Sequence, residues 1–276
     1  MQIGEENMWR KIAEMIDLPK EVIESLLAAN INIKDEKISK NIFLLTRPDE
    51  SLKAKNALKE LLPQDDKGFK ILLCMLDAAG IAYEEYKIAG ISENVFVATM
   101  KCFTRFVNEH MASYGEYGFD RDFWTWRQLS LMLFRIGELE YEKCNAENGE
   151  KFISLHIPSD AVISNENCLK SRKLSKEFFK KYYPDYENVQ VRCTSWLLSP
   201  DLKNLLPENS RILQFQQLFD EKSPANEGAD NFLEWVYKRK DIPIAQLPEN
   251  TTLQRNMKKY LLDGNWISEG EGIFID

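Results

Sequence analysis

Between Trp126 and Trp196, three strand-like runs and one long helical run follow one another in an order that few folds can accommodate. The strand-like runs are Leu133 to Glu142, Phe152 to Pro158 and Val189 to Leu198, and the helical pattern from Asn167 to Tyr183 lies between the second and third. The first two are joined by Cys144-Asn-Ala-Glu-Asn-Gly149, whose Asn-Gly step suits a turn with positive backbone torsions, so these strands should run antiparallel. About thirty residues and a helix separate the second strand from the third, which is the length of a right-handed crossover and predicts a parallel pair. The segment therefore predicts a mixed sheet. Further helical runs and a terminal strand at Gly272 to Ile275 complete an α+β domain.

Upstream the period changes from two to nearly four. From Met8 to Asn30, Ile12, Met15, Ile16, Val22, Ile23, Leu26 and Leu27 recur at helical spacing, with a break at Leu18-Pro19 that predicts two short helices. Lys53 to Leu62 and Gly68 to Ala79 repeat the pattern with Pro63 and Gly80 as stops, and Glu93 to Ser113 makes a longer run. Phe96, Phe103 and Phe106 form a stripe along that run, spaced as core packing is spaced. His110, near its end, reads as a surface or capping residue. Composition shifts between Met111 and Trp126, where Phe123, Trp124 and Trp126 cluster as residues that bury an interface. The junction is placed there: an all-helical domain over residues 1–125 and an α+β domain over 126–276.

Composition narrows the function classes. The chain has 276 residues, of which 44% are hydrophobic, enough for packed cores and too apolar for disorder. Its net charge of -8 offers no broad basic field, so no nucleic-acid partner is expected. No apolar run approaches the ~20 residues of a membrane span, and Met1-Gln-Ile-Gly-Glu-Glu lacks a basic start before an apolar core, so a cytoplasmic protein without membrane contact is expected. Cys74, Cys102, Cys144, Cys168 and Cys193 are scattered and odd in number, which predicts free thiols. His110 and His156 are too few and too far apart for a histidine-rich metal site, and no metal is expected.

Candidate chemistry centres on the strands. Alternation puts Phe152, Ser154 and His156 on one face, and a histidine at the carboxyl end of a strand suits proton transfer. Glu138 and Glu140 share a face of the first strand, where a carboxylate could orient or deprotonate an amine. Cys193 and Ser195 share a face of the third, with Ser195 a candidate donor to a carbonyl or a leaving group. Each of these also has a structural reading, as a hydrogen-bonded histidine, salt-bridged glutamates or a packed strand. Ser164 has the position of a helix cap, and Ser171, Arg172 and Lys173 that of an exposed helix face.

The runs Trp126-Arg-Gln-Leu-Ser-Leu-Met-Leu-Phe-Arg-Ile-Gly-Glu-Leu-Glu-Tyr141, Leu155-His-Ile-Pro158, Cys193-Thr-Ser-Trp-Leu-Leu198 and Ser210-Arg-Ile-Leu-Gln-Phe215, with Thr252-Leu-Gln-Arg255 and Gly270-Glu-Gly-Ile-Phe274, resemble a bacterial group of acyltransferase domain-containing proteins. Members of that group join a helical amino-terminal domain to a domain similar to the GCN5-related N-acetyltransferase (GNAT) fold. The resemblance implies an acyl-CoA or acetyl-CoA co-substrate, an amine acceptor, and a pantetheine arm lying between two splayed parallel strands. It also implies a phosphate loop at Ser159 to Asn167, with Ser164, Asn165, Ser171 and Arg172 as cofactor donors; the catalytic candidates remain those read from the strands, His156, Glu138 and Ser195. GNAT loops usually carry glycines at this point; this one has none and includes Asp160 and Glu166. Two other readings stay open. One is a non-catalytic module that binds a ligand or a protein; the other is a hydrolase using Cys193 with His156.

Overall fold

The computed structural model describes residues 8–275, and the chain divides into two compact units between Ile136 and Gly137. The first consists of α1 (Met8–Met15), α2 (Lys20–Leu27), α3 (Glu36–Leu44), α4 (Ser51–Leu61), α5 (Phe69–Ile88), α6 (Glu93–Met100), α7 (Cys102–Tyr114), α8 (Asp122–Leu129) and a short strand, β1 (Leu133–Ile136). Helix α5 lies at its centre, and α1, α2, α3, α6 and α8 pack against it. Because α5 is surrounded, its buried residues run from Ile71 to Tyr86 without a clear polar face.

Three sequence expectations change here. Gly80 is not a stop but lies inside α5, where an added Cβ would come within 2.2 Å of Met8 Cγ. The missing side chain lets α1 press against the helix backbone. The run from Glu93 to Ser113 is two helices divided at Lys101. Helix α3, which buries little besides Ile42, is set by its cap instead: Asp35 accepts from Lys37 N (3.0 Å) and Ile38 N (3.2 Å). Phe96, Phe103 and Phe106 are buried, as core packing requires. Of the clustered aromatics expected to bury an interface, Phe123 is instead 51% exposed, and Trp124 and Trp126 flank the Arg127 guanidinium at 4.5 Å within α8. His110 Nδ1 meets the Glu116 carbonyl oxygen at 2.8 Å, beyond the end of its helix.

The second unit contains β2 (Leu139–Asn145), β3 (Lys151–His156), α9 (Asn165–Tyr182), β4 (Val191–Ser195), α10 (Arg211–Gln216), β5 (Phe219–Ala225), α11 (Asn231–Tyr237), α12 (Thr252–Leu262) and β6 (Glu269–Phe274). Its strands lie in the order β2-β3-β4-β6-β5. β2 and β3 are antiparallel from Glu140↔His156 to Asn145↔Lys151, β3 and β4 are parallel, and β6 runs antiparallel to both β4 and β5. The mixed sheet predicted from connection lengths is therefore present. The run from Leu133 to Glu142 is not one strand, however: it breaks at Gly137, whose φ of 65° only glycine adopts at no steric cost. Glu138 consequently sits in a turn rather than on a strand.

Register sorts the sheet into two faces. Tyr141, Ile153, Leu155, Val191 and Cys193 are buried on one, where Tyr141 meets Phe179 of α9 edge to face at 6.5 Å. Fully burying apolar side chains of this size contributes ~1.5–3 kcal/mol each. The opposite face carries Glu140, Glu142, Ser154, His156, Thr194 and Glu271. A separate apolar cluster of Leu202, Phe232, Tyr237, Met257, Leu261 and Ile267 binds α11 and α12 to the segment after β4.

Candidate functional site

β3 and β4 are registered only at Ile153↔Val191 and Ser154↔Arg192. Ile153 N donates to Gln190 O at 2.9 Å, and the ladder stops before Leu155 and Cys193 although β3 continues to His156 and β4 to Ser195. N–H groups alternate sides along a strand, so the next rung would join Thr194 N–H to Leu155 C=O. It is not formed. β4 keeps its pairing with β6 as far as Ser195↔Gly270, so the opening lies on the β3 side alone. A strand edge with an unused donor and acceptor is a template for an extended ligand.

At the mouth of this opening, His156 Nε2 lies 2.8 Å from Glu142 Oε2. The hairpin register creates the pair: Glu142 stands opposite Ser154, one diagonal step from His156 on the same face. The side chains are 22% and 11% exposed, so a solute can reach the ring while the carboxylate is largely withdrawn from water. Withdrawal strengthens the hydrogen bond. With Nε2–H donated to the carboxylate, the neutral ring carries its lone pair on Nδ1.

The other sequence candidates lie elsewhere. Glu138 Oε2 accepts from Val162 N (2.9 Å) and so anchors the loop that leads to α9. Ser195 Oγ accepts from Leu197 N (3.1 Å), ending β4 in a 3-10 turn, and register puts it on the face opposite His156. Ser164 caps α9 by accepting from Asn167 N (3.2 Å), and Asn165 begins that helix. Ser171 and Arg172 are buried at 1% and 5%, so the expected exposed face exists only at Lys173. Ser171 Oγ accepts from Leu139 N (3.3 Å) and lies 3.0 Å from Tyr141 Oη, while Arg172 Nη1 donates to Ser175 Oγ (3.4 Å). Ser171 pins α9 to the sheet, whereas the Arg172 bond stays within the helix. Burial pushes the Tyr141 hydroxyl up to about 12.

The loop itself offers few free amides. Ala161 N donates to Pro158 O (3.0 Å), Val162 N to Glu138, and Ser164 N to Val162 O (2.9 Å). In the first helical turn, the amides of Asn165 and Glu166 have no intrahelical acceptor. Cys193 is fully buried on the α9 face, away from His156, and burial together with the nearby Glu269 carboxylate raises its thiol far above the ordinary range. A hydrolase built on that pair is overturned. Among the described residues no group of three or more His, Cys, Asp or Glu could hold a metal, and no helix is long and apolar enough to cross a membrane.

Glu142 and Thr194 did not emerge from the sequence. Counting back from the Asn-Gly turn would have placed Glu142 diagonally beside His156, but reading Leu133 to Glu142 as one strand through Gly137 put Glu138 on it as well.

Solved structures share this fold. An acyltransferase in complex with decanoyl-CoA and teicoplanin has a TM-score of 0.81 at 21% identity, over 99% of this chain and 88% of that one. An acyltransferase in complex with decanoyl-CoA has a TM-score of 0.80 at 22% identity, over 98% and 88%. An acyltransferase mutant in complex with octanoyl-CoA reaches 0.82 at 21% identity, over 99% and 88%. At such identities the likeness is one of fold. No curated protein matches the chain. Residues 9–131 match the N-acyltransferase N-terminal domain and residues 133–274 the GNAT-like C-terminal domain, so the chain belongs to the two-domain N-acyltransferase family with a GNAT-like carboxy-terminal half.

Proposed function

We propose that this protein transfers an acyl group from acyl-CoA to a primary amine, with Glu142 and His156 managing the proton. The observation that carries the reading is the β3/β4 pair, registered at two positions and then open, with the carboxylate-imidazole pair at its mouth. The pantetheine arm enters as an additional strand, taking Thr194 N–H and Leu155 C=O as partners. His156 Nδ1 removes a proton from the incoming ammonium, and Glu142 stabilises the imidazolium that results. The amine nitrogen attacks the thioester carbon, the C–N bond forms, and the oxygen carries negative charge until the C–S bond breaks. CoA leaves as a thiolate and takes up the second proton, which the nitrogen gives up as the amide forms. The diphosphate rests against the first turn of α9, near Ser164 and Asn165. Asp160 and Glu166 oppose it, so the acyl and pantetheine portions supply most of the affinity.

A non-catalytic binding module is the second reading, and the engaged amides of Ala161, Val162 and Ser164 favour it. The two readings separate in one experiment. The donors held by the similar structures make decanoyl-CoA and octanoyl-CoA suitable probes. Thiol release is followed with decanoyl-CoA and a panel of primary amines, and donor affinity is measured by calorimetry. Transfer predicts amine-dependent release that His156→Ala lowers by roughly 10²- to 10⁴-fold without weakening donor binding. Donor binding with no release by the wild-type protein would favour the module.

A further inference from the structure

Resting on the acyl-transfer reading above, we infer that the acceptor carries a second positive charge and that Glu271 holds it. The register carries the inference. Glu140↔His156 on β2 and β3, Thr194↔Glu271 on β4 and β6, and Ser223↔Glu271 on β5 and β6 lie at one height of the sheet, because His156 is in phase with Thr194 across the parallel pair. All five side chains share one face. Thr194 and Glu271 are exposed, so a polar shelf leads from the opening toward the outer strands.

The charge on that shelf is one-sided. Glu271 accepts from Ser223 Oγ at 3.0 Å and, among the described residues, forms no ion pair with a basic side chain. Arg192 stands on the same face two positions before Thr194, but it is bound by Glu150 at 2.5 Å and Gln190 at 2.8 Å and stacks on Phe152 at 4.7 Å. A carboxylate-bearing amine would be repelled here, whereas an amine with a distant ammonium gains a partner.

Spacing sets the size of the acceptor. Two strand intervals of ~4.8 Å separate His156 from Glu271, and the opening widens one of them, so the second charge lies ~10 Å or more from the reacting nitrogen. A long α,ω-diamine or an amino sugar with a further amino group fits; a short α-amino acid does not. Glu271 is a specificity residue and takes no part in bond making.

The test pairs 1,8-diaminooctane with octylamine, which differ only in the second ammonium. With octanoyl-CoA as donor, wild-type KM should be about three- to tenfold lower for the diamine at low salt, and Glu271→Gln should bring the two amines to parity with kcat and the octylamine KM unchanged. The preference should also fade as salt rises. Equal KM values in the wild type, or a preference that survives Glu271→Gln, would overturn the inference. If no amine is acylated the transfer reading fails instead, and calorimetric titration of 1,8-diaminooctane with CoA present decides about Glu271. Weaker binding to the variant supports the site; no binding, or equal binding, removes it.

Discussion

β3 has two neighbours and treats them differently. It pairs with β2 from Lys151 to His156, along its entire length, and with β4 at Ile153 and Ser154 only. Its own residues cannot account for the difference, since the same backbone serves both edges. The connections account for it. A short hairpin fixes β2 at every rung, whereas β4 arrives after a long crossover through α9 and is held by β6 on its far side. The zipped edge holds stability, and the open edge holds chemistry.

Substitutions on the two edges should therefore fail in opposite ways. The largest effect belongs to the open side: His156→Ala costs catalysis by orders of magnitude, far beyond the roughly 1–3 kcal/mol of stability lost when the withdrawn Glu142 carboxylate loses its partner. On the closed side, Ser171→Ala strips a buried partner from Leu139 N and Tyr141 Oη and should lower stability by roughly 1–3 kcal/mol in denaturant titration, with kcat of the folded protein intact. If Ser171→Ala abolished turnover at full stability, the division between the edges would break.

A smaller and pH-dependent effect sharpens the same contrast. Burial pushes the Lys143 ammonium on β2 down to about 8, even though the Tyr183 ring 3.6 Å away favours the cation. Below pH 8 both the folded and the unfolded protein carry this proton and the folded state bears the cost. Between about 8 and the ordinary lysine value near 10.5 the unfolded state binds more protons, so stability rises with pH. Lys143→Met should exceed the wild type by about 1–2 kcal/mol at pH 7, discounted for water access and the ring contact, and the difference should close by pH 10. A constant difference across that range would show that Lys143 is not desolvated.

Much of this contrast was legible in the sequence. The Asn148-Gly149 step announced the hairpin, and the length between Pro158 and Val189 announced the crossover. His156 was legible because strand alternation gives it an unambiguous face. The turn at Gly137 was not, since Leu133, Leu139 and Tyr141 keep the same strand parity across it and a lone glycine is a weak signal. That miss exchanged Glu138 for Glu142. Gly80 failed in the other direction: it looks like a stop until Met8, far away in the chain, is brought against it. Ser171 and Arg172 were read as exposed because their helix is rich in lysine, and only the three-dimensional packing determines which of its polar residues turn inward.

The central claim, an opening that accepts a thioester arm as an extra strand, is tested most directly by amide hydrogen exchange at Thr194, with and without saturating decanoyl-CoA. The account predicts rapid exchange in the free protein and strong protection once the donor is bound. Slow exchange without donor, or an amide unaffected by donor, would mean that this edge is closed or unused and would contradict the account.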